Sequence, residues 1–160
     1  MIGVFKMTAQ DRPEQDRAAL WRRGALAAVA AIAINLGILV AGLLAGVSFL
    51  VPLRGGPDVS QVGASVVIMF TGVPIVLGLV AATVLQRWSS GLRVVRISAI
   101  VLTLVSLLPP LTVDADTATR LLLALMHPVT GGAFLLALGS GRDARARVAG
   151  DAVNTRGATS

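Results

Sequence analysis

A single histidine stands in the chain, His127, inside the apolar run LLLALMHPVTGG. Titratable side chains are rare in such runs and usually face a helix bundle or a cavity. An imidazole there can accept a proton, donate a hydrogen bond or bind a ligand. It can equally make a structural hydrogen bond to a neighbouring helix. Pro128 follows it directly, frees a backbone carbonyl one turn earlier and predicts a kink. Thr130, Gly131 and Gly132 then thin the helix surface, so the region reads as a polar, irregular spot in an otherwise apolar segment. Asn35 is the second candidate, an amide near the middle of another apolar run that must find a partner. Asn35 and His127 fall at similar depth, and a meeting across the bundle is the expectation.

Other chemistry is thinly represented. With no cysteine, disulfides, thiol catalysis and cysteine-based metal sites are excluded. One histidine does not make a multi-histidine zinc site. Asp114 and Asp116 are close in sequence, but their stretch TVDADTAT reads as an exposed, solvated connection. No carboxylate pair lies within an apolar run, no base stands beside a nucleophile, and the glycines fit neither a phosphate loop nor a dinucleotide fingerprint. The expectation is therefore a protein that is not an enzyme, with no catalytic residue, metal or cofactor.

The elements that must position Asn35 and His127 follow from the distribution of charge. Charged residues are 14% of the chain and hydrophobic types 55%, where a soluble domain spends about a quarter of its residues on charge. No charge interrupts the stretches between Arg23 and Arg54, Asp58 and Arg87, Arg96 and Asp114, or Arg120 and Arg142. A soluble helix needs a polar face along its length, and these stretches offer none. About 20 apolar residues match the hydrocarbon thickness of a bilayer. The fold class is thus all-α, an integral membrane bundle of four transmembrane helices, with spans at about 24–50, 62–85, 94–111 and 118–138. A cytoplasmic tail, 1–23, precedes the transmembrane domain 24–140, and a basic tail, 141–160, follows it and is expected to be disordered beyond Val148. The first span is too long for a secretory signal, and Met7 offers an alternative start.

Smaller signals refine these spans. Trp21 beside Arg22 and Arg23, and Trp88 beside Arg87, read as interface anchors. Pro52, Gly55, Gly56 and Pro57 mark a turn region after the first span. Pro74, with Gly72 and Gly78 nearby, predicts a kink in the second. Pro109 and Pro110 mark the far end of the third, Arg96 can snorkel from its start, and Thr117 or Thr119 can cap the fourth. Gly42 and Gly46 have the small-xxx-small spacing of helix packing, within the chain or between copies.

Charge also orients the bundle. Twelve of the fourteen basic residues fall in the two tails and the second loop, leaving Arg54 and Arg120 opposite. The positive-inside bias predicts both termini in the cytoplasm and a place in the cytoplasmic membrane. The net charge of +6 resides in these flanks, which suits lipid headgroups as partners and argues against nucleic acid.

Over residues 20–140 the chain resembles an uncharacterised family of small four-span membrane proteins of high-GC Gram-positive bacteria, domain-of-unknown-function family 6069. The resemblance rests on the basic tail before the first span, SLLPP, TVDADTATR and LLLALMHPV, and it carries over Ser106, Pro109, Thr119, Met126 and His127. It implies a four-helix membrane fold and no particular activity. Pro128 departs from the apolar residue the family places there.

Two functions compete at this level. The first is a small accessory or structural protein acting through helix packing with itself or a membrane-protein partner. The second is a small transporter or ligand-binding protein with its polar site around His127, Asn35 and Thr130. The two divide on whether a cavity adjoins His127. A membrane enzyme comes third.

Overall fold

The computed structural model describes residues 11–52 and 58–139. Met7, Arg54 and the tail 141–160 lie outside the described residues. Helix α1 spans Asp11–Leu44, a short hairpin follows from β1 (Leu50–Pro52) and β2 (Val59–Gln61), and then come α2 (Ala64–Leu85), α3 (Gly91–Val105), α4 (Leu108–Thr112) and α5 (Thr117–Ala137). Four segments are long and apolar enough to cross a membrane: Gln15–Leu44, Ala64–Leu85, Gly91–Thr112 and Thr117–Ala137. Their outward faces carry exposed large apolar side chains such as Leu26, Phe70, Leu102 and Leu136. Exposed apolar surface on this scale needs a bilayer to cover it.

The first span begins and ends earlier than 24–50. Its C-terminus closes with the amide of Gly46 donating to the Leu43 carbonyl and that of Val47 donating to Gly42. These are the paired bonds of a Schellman cap, which needs a left-handed residue; Gly46 supplies it at φ 83°. A Cβ on Gly46 would meet no atom within 4 Å. Within this chain Gly46 therefore ends the helix and packs against no other element. The chain then turns back through Phe49 and pairs Leu50 with Gln61 and Pro52 with Val59 in antiparallel register. What reads as a turn region is thus a small hairpin.

The third crossing is jogged. Pro109 and Pro110 lack the amides that would bond the carbonyls of Val105 and Ser106, so α3 stops at Val105 and the axis resumes as α4. The proline pair lies in the last turn of the crossing, at its far end. Pro74 and Pro128 both lie within continuous helices.

Helix α1 packs most extensively on α5 and α2, while α3 touches α2 and α5. Two apolar clusters form the core. One gathers Ala31, Ile75, Leu79, Ala82, Val95 and Phe134. The other gathers Leu39, Phe49, Val67 and Met126.

Candidate functional site: a polar layer and its cavity

Between the two apolar clusters lies one polar layer. The α1 residues Ala31, Asn35 and Leu39 step by four, as do Val67, Thr71 and Ile75 on α2 and Met126, Thr130 and Phe134 on α5. Four-residue steps keep side chains on one helix face. The three faces therefore stack as apolar, polar, apolar, with Asn35, Thr71 and Thr130 in the middle.

Asn35 is 1% exposed. Its Nδ2 donates to Thr71 Oγ1 at 2.9 Å and to Thr130 Oγ1 at 3.1 Å, and Met126 O lies 3.4 Å away. An amide nitrogen has two hydrogens, so the two threonines are its main acceptors. The Thr130 hydroxyl donates in turn to Met126 O at 3.0 Å. Asn35 Oδ1 is buried and has no partner.

His127 lies half-buried beside this layer. Its Nδ1 is 2.8 Å from the Leu123 carbonyl one turn back. A carbonyl only accepts, so Nδ1 carries the proton and Nε2, on the opposite edge of the ring, has a free lone pair. Asn35 does not bond His127 directly; it reaches α5 at Met126 and Thr130, on either side of the ring in sequence.

Both residues line a single half-open cavity of about 910 Å³ between α2, α3, α4 and α5, with one wall carrying Asn35, Thr71, His127 and Thr130 and the other Ser98, Thr103 and Ser106. Pro74, Pro109 and Pro110 line it as well. Glycines bring its helices together elsewhere: Gly78 receives the Phe134 ring, and Gly131 sits against Thr103. No Lys, Arg, Asp or Glu lines the cavity. Among the described residues, no three His, Asp or Glu side chains converge on a point.

The remaining candidates fall apart from this site. Gly42 is covered by Phe49 and Leu122. Trp21 and Trp88 are exposed, the first on α1 and the second in the turn before α3. At the start of α5 the cap is Asp116 and neither Thr117 nor Thr119. Its Oδ1 accepts from the Thr119 amide at 2.9 Å, its Oδ2 accepts from the Thr119 hydroxyl at 2.6 Å, and Ser48 donates to Oδ2 at 3.3 Å. These bonds, those from Thr119 first, hold the Asp116 carboxyl below the usual aspartate range. At the other end of α5 the Arg96 guanidinium donates to the Gly139 carbonyl, joining the start of α3 to the end of α5.

A family model described as "Family of unknown function (DUF6069)" matches residues 15–144. The chain belongs to that family. The match takes in all four membrane-crossing segments and every residue of the polar layer. No curated protein and no solved structure matches the chain.

Thr71 is the residue that sequence reasoning missed. Its signal was the one that singled out Asn35, a hydrogen-bonding side chain in mid-span, and a count of four-residue steps from either end of the span would have matched their depths.

Proposed function

We propose that this member of the family is a binding protein, not an enzyme, and that it holds a mainly apolar molecule within the bilayer. The observation that carries this reading is the cavity of about 910 Å³ beside His127 and Asn35. Its volume lies toward the upper end of the range of small-molecule sites, roughly 300–1,000 Å³, and it has the usual mixture of apolar walls and a few polar groups. Lipid can reach the site laterally because it opens beside α3, the least buried of the four crossing segments, with 11% of its membrane window buried. The absence of charge from the lining disfavours an ion path.

Purification into lipid discs followed by mass spectrometry of extracted small molecules tests this reading, with an Ala99→Phe variant alongside to fill the cavity. A molecule enriched over the surrounding lipid and lost from the variant supports it. Identical profiles overturn it.

The second reading is an accessory protein that packs against a membrane partner or a second copy. The same little-buried α3 favours it, since an exposed apolar face there offers room for another helix. A stoichiometric protein retained by both versions would bring it forward.

For orientation we propose both termini in the cytoplasm and residence in the cytoplasmic membrane. The support is the bias of basic residues toward the tails and the second loop. Arg22, Arg87, Arg93 and the Arg96–Gly139 contact all belong to the same end of the helix bundle.

A further inference from the structure

The polar groups of the cavity divide between donors and acceptors, and only a few are free to meet a bound molecule. His127 commits its one imidazole hydrogen to Leu123, which leaves Nε2 as an acceptor. Asn35 commits its two amide hydrogens to the threonines, which leaves Oδ1 as a buried acceptor with no donor. The hydroxyls of Thr103, Ser106 and Thr130 each donate to a carbonyl of their own helix, at 2.7, 2.8 and 3.0 Å. Their oxygens retain lone pairs. Thr71 and Ser98 line the same walls and keep hydroxyl hydrogens free to donate, and no cation there balances an anion.

Resting on the cavity-binding reading, we infer that the molecule held there is an uncharged amphiphile whose head is a hydroxyl group. The hydroxyl donates to His127 Nε2, the acceptor that the lining residues leave free. The hydrocarbon body lies against the apolar lining, which includes Phe70, Ile75, Leu102 and Leu123. A carboxylate head offers only acceptors and brings a charge that nothing in the cavity compensates. An ether of the same shape accepts but does not donate. A long-chain alcohol fits and its methyl ether does not, although the two differ by one hydrogen-bond donor and a methyl group.

The full chain in phosphatidylcholine discs is photolabelled with hexadecanol carrying a diazirine within its chain. Hexadecanol, hexadecyl methyl ether and hexadecanoate then compete at pH 8. The expected result is saturable labelling on α3 and α5, with the alcohol competing about ten-fold better than the ether, the effect of one retained hydrogen bond. Hexadecanoate does no better than the ether. In His127→Phe the preference for alcohol over ether disappears while labelling persists. Equal competition by alcohol and ether on the unaltered protein overturns the inference and leaves the cavity reading standing. So does strongest competition by hexadecanoate, or a ten-fold preference that survives His127→Phe. Labelling that none of the three can compete overturns the cavity reading itself.

Discussion

The ring of Phe49 occupies the place where a side chain at Gly42 would stand: a Cβ at position 42 would lie 2.6 Å from two of its ring carbons. Gly42 sits on the last turns of α1, and Phe49 belongs to the segment that leaves the helix and folds back over it. Phe49 is fully buried and has a φ of 53°, a left-handed conformation that non-glycine residues seldom adopt. The Schellman cap at Gly46 turns the chain, and the missing side chain at Gly42 receives what the turn delivers. The glycine pair thus has two different tasks on one feature within the chain.

Gly42→Ala is therefore expected to destabilise the protein by about 1–3 kcal/mol, the usual cost of overpacking a well-filled site. Phe49 has little room to yield because its backbone is held by the bond from the Val62 amide to its carbonyl, 2.9 Å. Thermal unfolding in detergent or steric trapping in bicelles reads the effect. In the double variant Gly42→Ala/Phe49→Ala the clash with the ring is gone and only the end of the Leu122 side chain stands close, so the two losses should fall short of additive. Strict additivity would show that the ring and the glycine do not act on each other.

The four spans were legible because long stretches lack charge, and hydropathy is a sum that tolerates local error. The end of the first span was not. The run LAGVSFL continues the apolar composition of the helix, but Gly46 reverses the backbone, and composition is blind to handedness. Asn35 and Thr130 were legible as polar side chains in apolar surroundings. The cavity was not, because it is a property of spacing between helices: α3 ends before the prolines and meets α5 where Gly131 faces Thr103, while α2 meets α5 where Gly78 faces Phe134. The aspartate cap at Asp116 was overlooked in favour of the threonines after it, although Asp followed three residues later by Thr places a hydroxyl donor within reach of the carboxylate.

The bond between Asn35 and Thr71 should be measurable as a coupling. Asn35→Ala and Thr71→Val each remove one partner, and valine keeps the threonine shape. Hydrogen bonds between membrane helices contribute about 0.6 kcal/mol on average and up to roughly 2, so a double-mutant cycle in bicelles should return a coupling of about 1 kcal/mol. Thr130 retains its bond to Met126 in every variant, which confines the measured term to the α1–α2 pair and any relaxation around it. A coupling indistinguishable from zero would mean that the polar layer is not held by this bond.

Asp116 makes stability depend on pH on the acid side. Its folded pKa is lowered, chiefly by the hydrogen bonds from Thr119, so the carboxylate binds protons less readily than it would in the unfolded chain. The resulting stabilisation is fully present above the ordinary aspartate range and is lost as the pH falls through that range and below the folded value. Asp116→Asn preserves a capping oxygen but has no proton to titrate. The expected outcome is a thermal midpoint that falls less steeply with acidification in the variant than in the unaltered protein, with the difference confined to low pH. Parallel curves over the whole acid limb would assign the dependence to other groups.

Orientation can be decided by where a reporter works. The bond from Arg96 to the Gly139 carbonyl puts the start of α3 and the end of α5 on one side, while Ser48 and Asp116 meet at the opposite end with the hairpin. An even number of crossings follows, and the basic residues of the tails and of the second loop then lie together. A fluorescent protein that matures only in the cytoplasm, fused after the C-terminus, should fluoresce. Alkaline phosphatase, active only outside, should be inactive at that position and active when fused after Gln61 in the hairpin. Exchange of Arg87 and Arg93 for glutamine should weaken the bias without reversing it, because the basic residues of both tails remain. Phosphatase activity at the C-terminus would place the tails outside and, with them, reverse the side from which the Arg96 end of the bundle is reached.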